Sequence, residues 1–243
     1  DVYKRQVTYG AGGSTTENTV EIASKIKNEY SIEAVAHLSC IDATPEQLIR
    51  VLDSLKANNI ENVLALRGDY PRGYDPMKAP HYYKYASELN DFISKNYPDT
   101  FCLSGACYPE VHQEAASLEE DLIALKKKVD AGAEYLITQI FFDNNYYYRL
   151  VREARIRGIN VPIIAGIMPA TNSKSLLNIA KLSGCNIPYN LSASIERFKS
   201  NPQAMKEVGM NYATNQIIDL ITNGVDGIHL YTCLLYTSPS PRD

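Results

Sequence analysis

The chain lacks the spacings that announce metal or disulfide chemistry. Its five cysteines, Cys40, Cys102, Cys107, Cys185 and Cys233, form no C-x-x-C pair and no Cys/His cluster at zinc spacing. No metal is therefore expected, and the thiols read as the reduced cysteines of a cytoplasmic protein. No apolar run is long enough to span a bilayer, and no charged-then-apolar leader opens the chain. A basic excess is missing too. The net charge is −4, which argues against a nucleic-acid or membrane-surface protein. No G-x-G-x-x-G turn follows any apolar run, which weakens an open dinucleotide-binding sheet. Without internal repeats or low-complexity linkers, the 243 residues read as one domain.

What is present is a rhythm of short apolar runs and amphipathic helices. The runs are VTYG (7–10), EAVAHLSC (33–40), NVLALRG (62–68), FCLSGACY (101–108), YLITQIFF (135–142), PIIAGIM (162–168) and GIHLYT (227–232). Most are almost continuously apolar, as parallel strands covered on both faces are. Between them, Thr44, Pro45 and Gln47 spell a helix start with a capping box, and Leu48, Val51, Leu52 and Leu55 share one face. Ser117 and Glu120 repeat that start, Leu122, Leu125 and Val129 form the stripe, and Gly132 ends the helix. The stretch 173–223 holds at least two helices, around 176–182 and 204–222. Strand–helix units imply an α/β fold with a parallel sheet, and a (β/α)8 TIM barrel is the expectation. Seven strands are countable where eight are needed. The missing one is expected before residue 7, so that the barrel is incomplete.

Barrel chemistry sits at the C-terminal strand ends. The polar groups there are Thr8 and Tyr9, His37, Arg67-Gly68-Asp69, Tyr108 followed by Glu110 and His112, and Gln139. A charge on or just past such apolar runs needs a partner or a ligand. Arg67 and Asp69 pair with one another in a purely structural reading, and His37 and Gln139 are then satisfied core groups. Asp121 and Lys128, seven apart, share a helix face that His112 and Ala115 lead into, and a cationic helix beside the mouth suits a phosphate.

The segments VTYGAGGS, HLSCIDATPEQL, NVLALRGDYPRG, YPEVHQEA, LKKKVDAGAEYLITQIFFD, PIIAGIMP and HLYT resemble, in order and spacing, the methylenetetrahydrofolate reductases. The resemblance runs from about Val7 to Thr232. It implies an FAD-binding (β/α)8 barrel enzyme that passes a hydride from NADH or NADPH through the flavin to 5,10-methylenetetrahydrofolate. The product is 5-methyltetrahydrofolate, and the kinetics are ping-pong. By motif position it implies FAD contacts from Thr8, Tyr9, His37, Arg67, Gly68, Asp69, Ala86, Tyr108, His112, Ala115, Asp121 and Lys128. Lys127 stands where the family often has Arg, keeping the charge, whereas Ala124 replaces a residue that is polar in some members. Asp69 is the implied catalytic group, tuning the flavin and favouring the cationic iminium of the opened folate. Gln139 is the implied partner of the pterin edge, because an amide both donates and accepts. Tyr231 is implied in the substrate pocket. The resemblance also implies one-carbon metabolism feeding methionine synthesis and a homo-oligomeric full-length enzyme, and it does not choose between NADH and NADPH. Two other readings stand beside it. One is a different FAD barrel oxidoreductase, such as the proline dehydrogenase type; the other is a non-catalytic folate- or flavin-binding subunit.

The two ends read differently from the rest. DVYKRQ (1–6) and CLLYTS (233–238) can be encoded by nearly reverse-complementary DNA, as the inverted transposase adapter of sequencing libraries would be, and PSPRD fits its continuation. Residues 1–6 and 233–243 are therefore expected to be adapter-encoded, around a partial barrel domain over 7–232. The family's proton-donating glutamate lies on a Phe-Glu-Phe-like first strand, and no such segment occurs in this sequence. The expectation is a barrel without its first strand, its general acid, one pocket arginine and its last helix, impaired in folate reduction.

Overall fold

A computed structural model describes residues 4–7, 16–41, 43–68 and 82–231. Seven strands follow the chain in sheet order: β1 (Lys4–Val7), β2 (Glu33–Ser39), β3 (Asn62–Leu66), β4 (Cys102–Cys107), β5 (Ala133–Thr138), β6 (Ile163–Ile167) and β7 (Ile228–Leu230). The pairs β1–β2, β2–β3, β3–β4 and β6–β7 are parallel. Eight helices lie between them: α1 (Thr16–Ser24), α2 (Pro45–Ala57), α3 (Ala86–Asn96), α4 (Leu118–Asp130), α5 (Asn144–Ile156), α6 (Ser173–Ser183), α7 (Tyr189–Phe198) and α8 (Pro202–Thr222). A π-helical turn, Lys25–Glu29, extends α1. This is an α/β fold of the incomplete (β/α)8 kind, with strands joined only to their chain neighbours.

The helix signals in the sequence are realised. Thr44 Oγ1 accepts from the Gln47 amide at 3.3 Å and Gln47 Oε1 accepts from the Thr44 amide at 2.7 Å, closing the expected box. Leu48, Leu52 and Leu55 are buried, and Val51 packs beside them. Ser117 Oγ accepts from the Glu120 amide, but the Glu120 carboxylate reaches the Ala116 amide rather than that of Ser117. Gly132 ends α4 at φ +110°. The 173–223 stretch contains α7 as a third helix beside the two expected.

The first strand begins earlier than expected. It covers Lys4–Val7 and pairs Lys4 with Glu33 through Val7 with Ala36, while residues 8–10 of the expected run lie outside the described residues. Backbone pairing of residues 4–6 does not bear on how their codons arose. Thr8 and Tyr9 lie outside the described residues.

The chain forms two compact units. The first comprises residues 1–106 and 123–136 and has a core of Leu38, Leu52, Val63, Leu89, Ile93 and Leu103. The second comprises 107–122 and 137–243, with a core of Ile140, Phe142, Leu176, Leu191, Ile195 and Met205. In the second unit β5 stops at Thr138, four residues short of the expected end. The reason is local: α8 takes over the carbonyls beyond it. Gln216 Nε2 donates to Phe141 O at 2.9 Å and Tyr212 Oη donates to Phe142 O at 2.6 Å. At the opposite end of β6, Asp226 Oδ2 accepts from the Ile163 amide and from Arg155. Among the described residues no helix is long and apolar enough to cross a membrane.

The seating of α8 depends on Gly209, where a Cβ would stand 2.2 Å from the Ala170 carbonyl oxygen. Gly209→Ala should therefore lower stability by about 1–3 kcal/mol despite alanine's better helix propensity, read as a lower urea midpoint at unchanged m-value. An unchanged or higher midpoint would contradict this contact.

Candidate active site

Arg67, Gly68, Tyr108, Gln139 and Tyr231 fall one or two residues past strand ends, His37 lies inside β2, and Ala86, Asp121, Lys127 and Lys128 lie on helices. In the first unit, Arg67 and Gly68 follow β3. The Arg67 carbonyl accepts from the Ile41 amide and from Ser39 Oγ, both at 2.8 Å, with the Cys40 thiol at 3.8 Å. Gly68 turns the chain at φ +88°, and a Cβ there would lie 1.9 Å from Ser39 Oγ. Only glycine fits that turn. Cys40 Sγ also lies 3.7 Å from the Tyr85 carbonyl, and burial pushes its thiol up to about 12, so it acts as a neutral donor. Ala86, buried, opens α3 on the next residue. The β2 end, the Arg67-Gly68 turn and the start of α3 are thus brought together. His37, inside β2, has Nε2 3.0 Å from Gln6 Oε1. Asp69 lies outside the described residues, so its pairing with Arg67 does too.

Lys127 and Lys128 diverge. Lys128 packs over Gly105, and its Nζ donates to the Ala106 carbonyl at 2.8 Å near the end of β4. Lys127 is exposed and lines a groove of about 680 Å³ with Tyr82, Tyr83, Asp91 and Lys95.

In the second unit, Tyr108 follows β4 directly, and its ring meets that of His112 edge-on, with centroids 4.6 Å apart. His112 Nδ1 accepts from the Glu114 amide at 3.1 Å, which leaves the ring proton of neutral His112 on Nε2. The Asp121 carboxylate accepts from the His112 amide at 2.9 Å. It fixes the loop that leads into α4, with Ala115 bonded to the His112 carbonyl inside that loop. Val111, between Glu110 and His112, is left-handed at φ +73°. For a β-branched residue that conformation costs on the order of 1–3 kcal/mol. The sequence carried no signal for it, nor for Asn186, whose backbone and side-chain N–H groups meet the Glu110 carboxylate.

Gln139 is the first residue past β5. Its amide donates to the Cys107 carbonyl at 2.8 Å, and its Oε1 accepts from the Ile140 amide at 2.9 Å. Tyr231 is the first past β7. Its amide donates to Ile167 O and its hydroxyl to Thr138 O, both at 2.9 Å, which brings Tyr231 next to Gln139's neighbour. Burial pushes the Tyr231 phenol up, so it stays protonated. Gly166 makes room for this ring, since a Cβ there would lie 2.6 Å from Tyr231 Cε2.

Comparison with known proteins gives a consistent result. The methylenetetrahydrofolate reductase family profile matches residues 4–239. Methylenetetrahydrofolate reductase (NADH) 1 of Arabidopsis thaliana is 39% identical over 236 residues, covering 93% of this chain and 40% of its own length. The 5,10-methylenetetrahydrofolate reductase of Escherichia coli is 39% identical over 226 residues, covering 93% and 74%. Methylenetetrahydrofolate reductase 1 of Schizosaccharomyces pombe is 33% identical, covering 93% and 38%. The chain thus spans about two fifths of the plant and yeast relatives and three quarters of the bacterial one.

Two outcomes follow from this geometry. Gly68→Ala should cost about 1–3 kcal/mol through the forced φ and the Ser39 clash, seen as a lower denaturation midpoint; wild-type stability would contradict the turn. His229, its ring 4.5 Å from that of Tyr231, is held by burial below the usual 6.5. The unfolded chain therefore binds that proton first, and stability should fall as pH drops below about 6.5. His229→Gln should flatten the pH–stability curve there, and an identical slope in the variant would exclude His229 as its source.

Proposed function

Because the chain belongs to the methylenetetrahydrofolate reductase family, we propose that its protein reduces 5,10-methylenetetrahydrofolate to 5-methyltetrahydrofolate with NADH or NADPH, through bound FAD. The observation that carries this reading is the pairing of Gln139 and Tyr231. Both are first residues past a strand, and the Tyr231 hydroxyl holds the Thr138 carbonyl beside Gln139. An amide past β5 and a protonated phenol past β7, linked through the Thr138 carbonyl, suit the alternating donors and acceptors of a pterin edge.

The residues present fit the cofactor chemically. Arg67, Lys127 and Lys128 supply cationic donors for a diphosphate, and Tyr108 and His112 supply a ring and a ring N–H. Gly68 supplies a turn with no side chain. These residues, with His37, Ala86, Ala115 and Asp121 around them and Thr8, Tyr9 and Asp69 beyond the described residues, would hold FAD. Bound there, FAD would supply the hydride chemistry that links the nicotinamide to the folate. Gln139 would orient the pterin, exchanging its bond to the Ile140 amide for one to the ligand. Asp69 would hold negative charge where the folate becomes cationic. The four described cysteines are all free thiols, in keeping with the cytoplasmic setting and the homo-oligomer that belong to the same reading.

The test separates the half-reactions. The FAD-loaded full-length protein that contains this chain, mixed anaerobically with NADH or NADPH, should bleach at the flavin band and recover colour on addition of 5,10-methylenetetrahydrofolate. Gln139→Ala should leave the nicotinamide step within about twofold and slow the folate step roughly tenfold or more, the effect of losing one to two ligand hydrogen bonds. Flavin that neither nicotinamide reduces, or a folate step indifferent to Gln139, would overturn the reading.

A further inference from the structure

The loop from Tyr108 to Ser117 is anchored more heavily than loop closure requires. Four consecutive residues are each tied or constrained. The Glu110 carboxylate accepts from the Asn186 amide at 3.0 and 3.1 Å, and from Asn186 Nδ2 as well. Val111 is left-handed. The His112 amide is held by Asp121 at 2.9 Å. Gln113 Nε2 donates to the Leu182 carbonyl at 2.8 Å, at the end of α6. There α6 closes on Gly184 at φ +72°, and a Cβ at that position would stand 2.7 Å from Gln113 Nε2. Two side chains thus grip one stretch, 182–186, on either side of the strained residue.

The grip is not the cheapest available. Burial holds the Glu110 carboxyl above the usual carboxylate range, with Asp143 adding to the effect and the Asn186 donors and Arg149 opposing it. A desolvated carboxylate and a left-handed valine in adjacent positions both oppose folding. Such costs persist where a geometry is needed for something else. What the turn does is set His112: its Nδ1 and its ring are engaged within this loop, and its amide is held by Asp121 of α4.

We propose that Glu110 and Gln113 are positioning residues. They clasp the 182–186 segment, hold the left-handed turn at Val111 and so preset Tyr108 and His112 for the flavin before it binds. The cofactor part of this proposal rests on the reading given under Proposed function; the clasp itself does not. It is a form of preorganisation, in which the ordering cost of the loop is met during folding rather than during binding.

The experiment combines FAD titration by flavin fluorescence with amide hydrogen exchange of residues 111–115 in the flavin-free 243-residue chain. Glu110→Ala should raise the FAD Kd about tenfold and speed exchange of these amides by a similar factor, as expected for losing charge-assisted bonds. Glu110→Gln keeps an acceptor for the Asn186 amide and should restore Kd to within about threefold of wild type. Glycine adopts φ +73° without being held. In a Val111→Gly background the Glu110→Ala effect on Kd should therefore shrink to about twofold. A merely structural role would leave that ratio unchanged between backgrounds, and an unchanged ratio would overturn the proposal. Exchange indifferent to Glu110, or faster exchange with an unaltered Kd, would overturn it as well. Should Glu110→Ala fail to fold, Gln113→Ala, at an exposed position, carries the same expectations. Exchange that responds to Glu110 in a chain taking up no FAD would support the clasp and overturn the flavin reading.

Discussion

The Arg67 carbonyl accepts the Ile41 amide, the Cys107 carbonyl accepts that of Gln139, and the Ile167 carbonyl accepts that of Tyr231. In each case the hydrogen-bond ladder of a parallel pair runs on past the last strand residue. The side chains with expected roles sit on that continuation. This matters because a strand buried on both faces has no other place for a polar group. Inside the ladder such a group would be desolvated, and in a free loop it would wander. One step past the end, the backbone is still fixed while the side chain has left the interior of the ladder.

Small residues set the closeness of these ends. Gly68 allows the β3 end to lie against Ser39, and Gly166 allows the Tyr231 ring to lie against β6. Each glycine defines where a chemical group can stand. In the second unit side chains add to this: Gln216 and Tyr212 of α8 hold the Phe141 and Phe142 carbonyls, and Gln113 and Glu110 hold the end of α6 and the residues after it.

Much of the fold could be read in the sequence, because its signals are local. The Thr44–Gln47 box, the Leu48–Leu52–Leu55 stripe and the Gly132 stop depend on neighbours a few residues away, and all three are realised. The strand runs were also visible, but their ends were not. YLITQIFF looks apolar to Phe142, while the decision to stop at Thr138 is made by α8, some 70 residues later in the chain. The candidate site divides the same way. Residue types at strand ends were legible for Arg67, Tyr108, His112, Gln139 and Tyr231. The role of Asp121 was not, since a carboxylate on a helix face gives no sign that it will cap a loop amide nine residues back. Val111 is invisible altogether, because nothing in Glu-Val-His announces a positive φ.

The burial that makes Cys40 a neutral donor to two carbonyls has a chemical consequence. Pushed up to about 12 by burial, the thiol stays protonated at neutral pH, and the thiolate is the form that attacks electrophiles and peroxides. Cys102 and Cys185 are shifted in the same direction, also chiefly by burial. The sulfur next to the Arg67 turn is thereby kept out of oxidative chemistry. A protein of this design would tolerate alkylating reagents and mild oxidants beside its candidate site without a dedicated reductant to restore it.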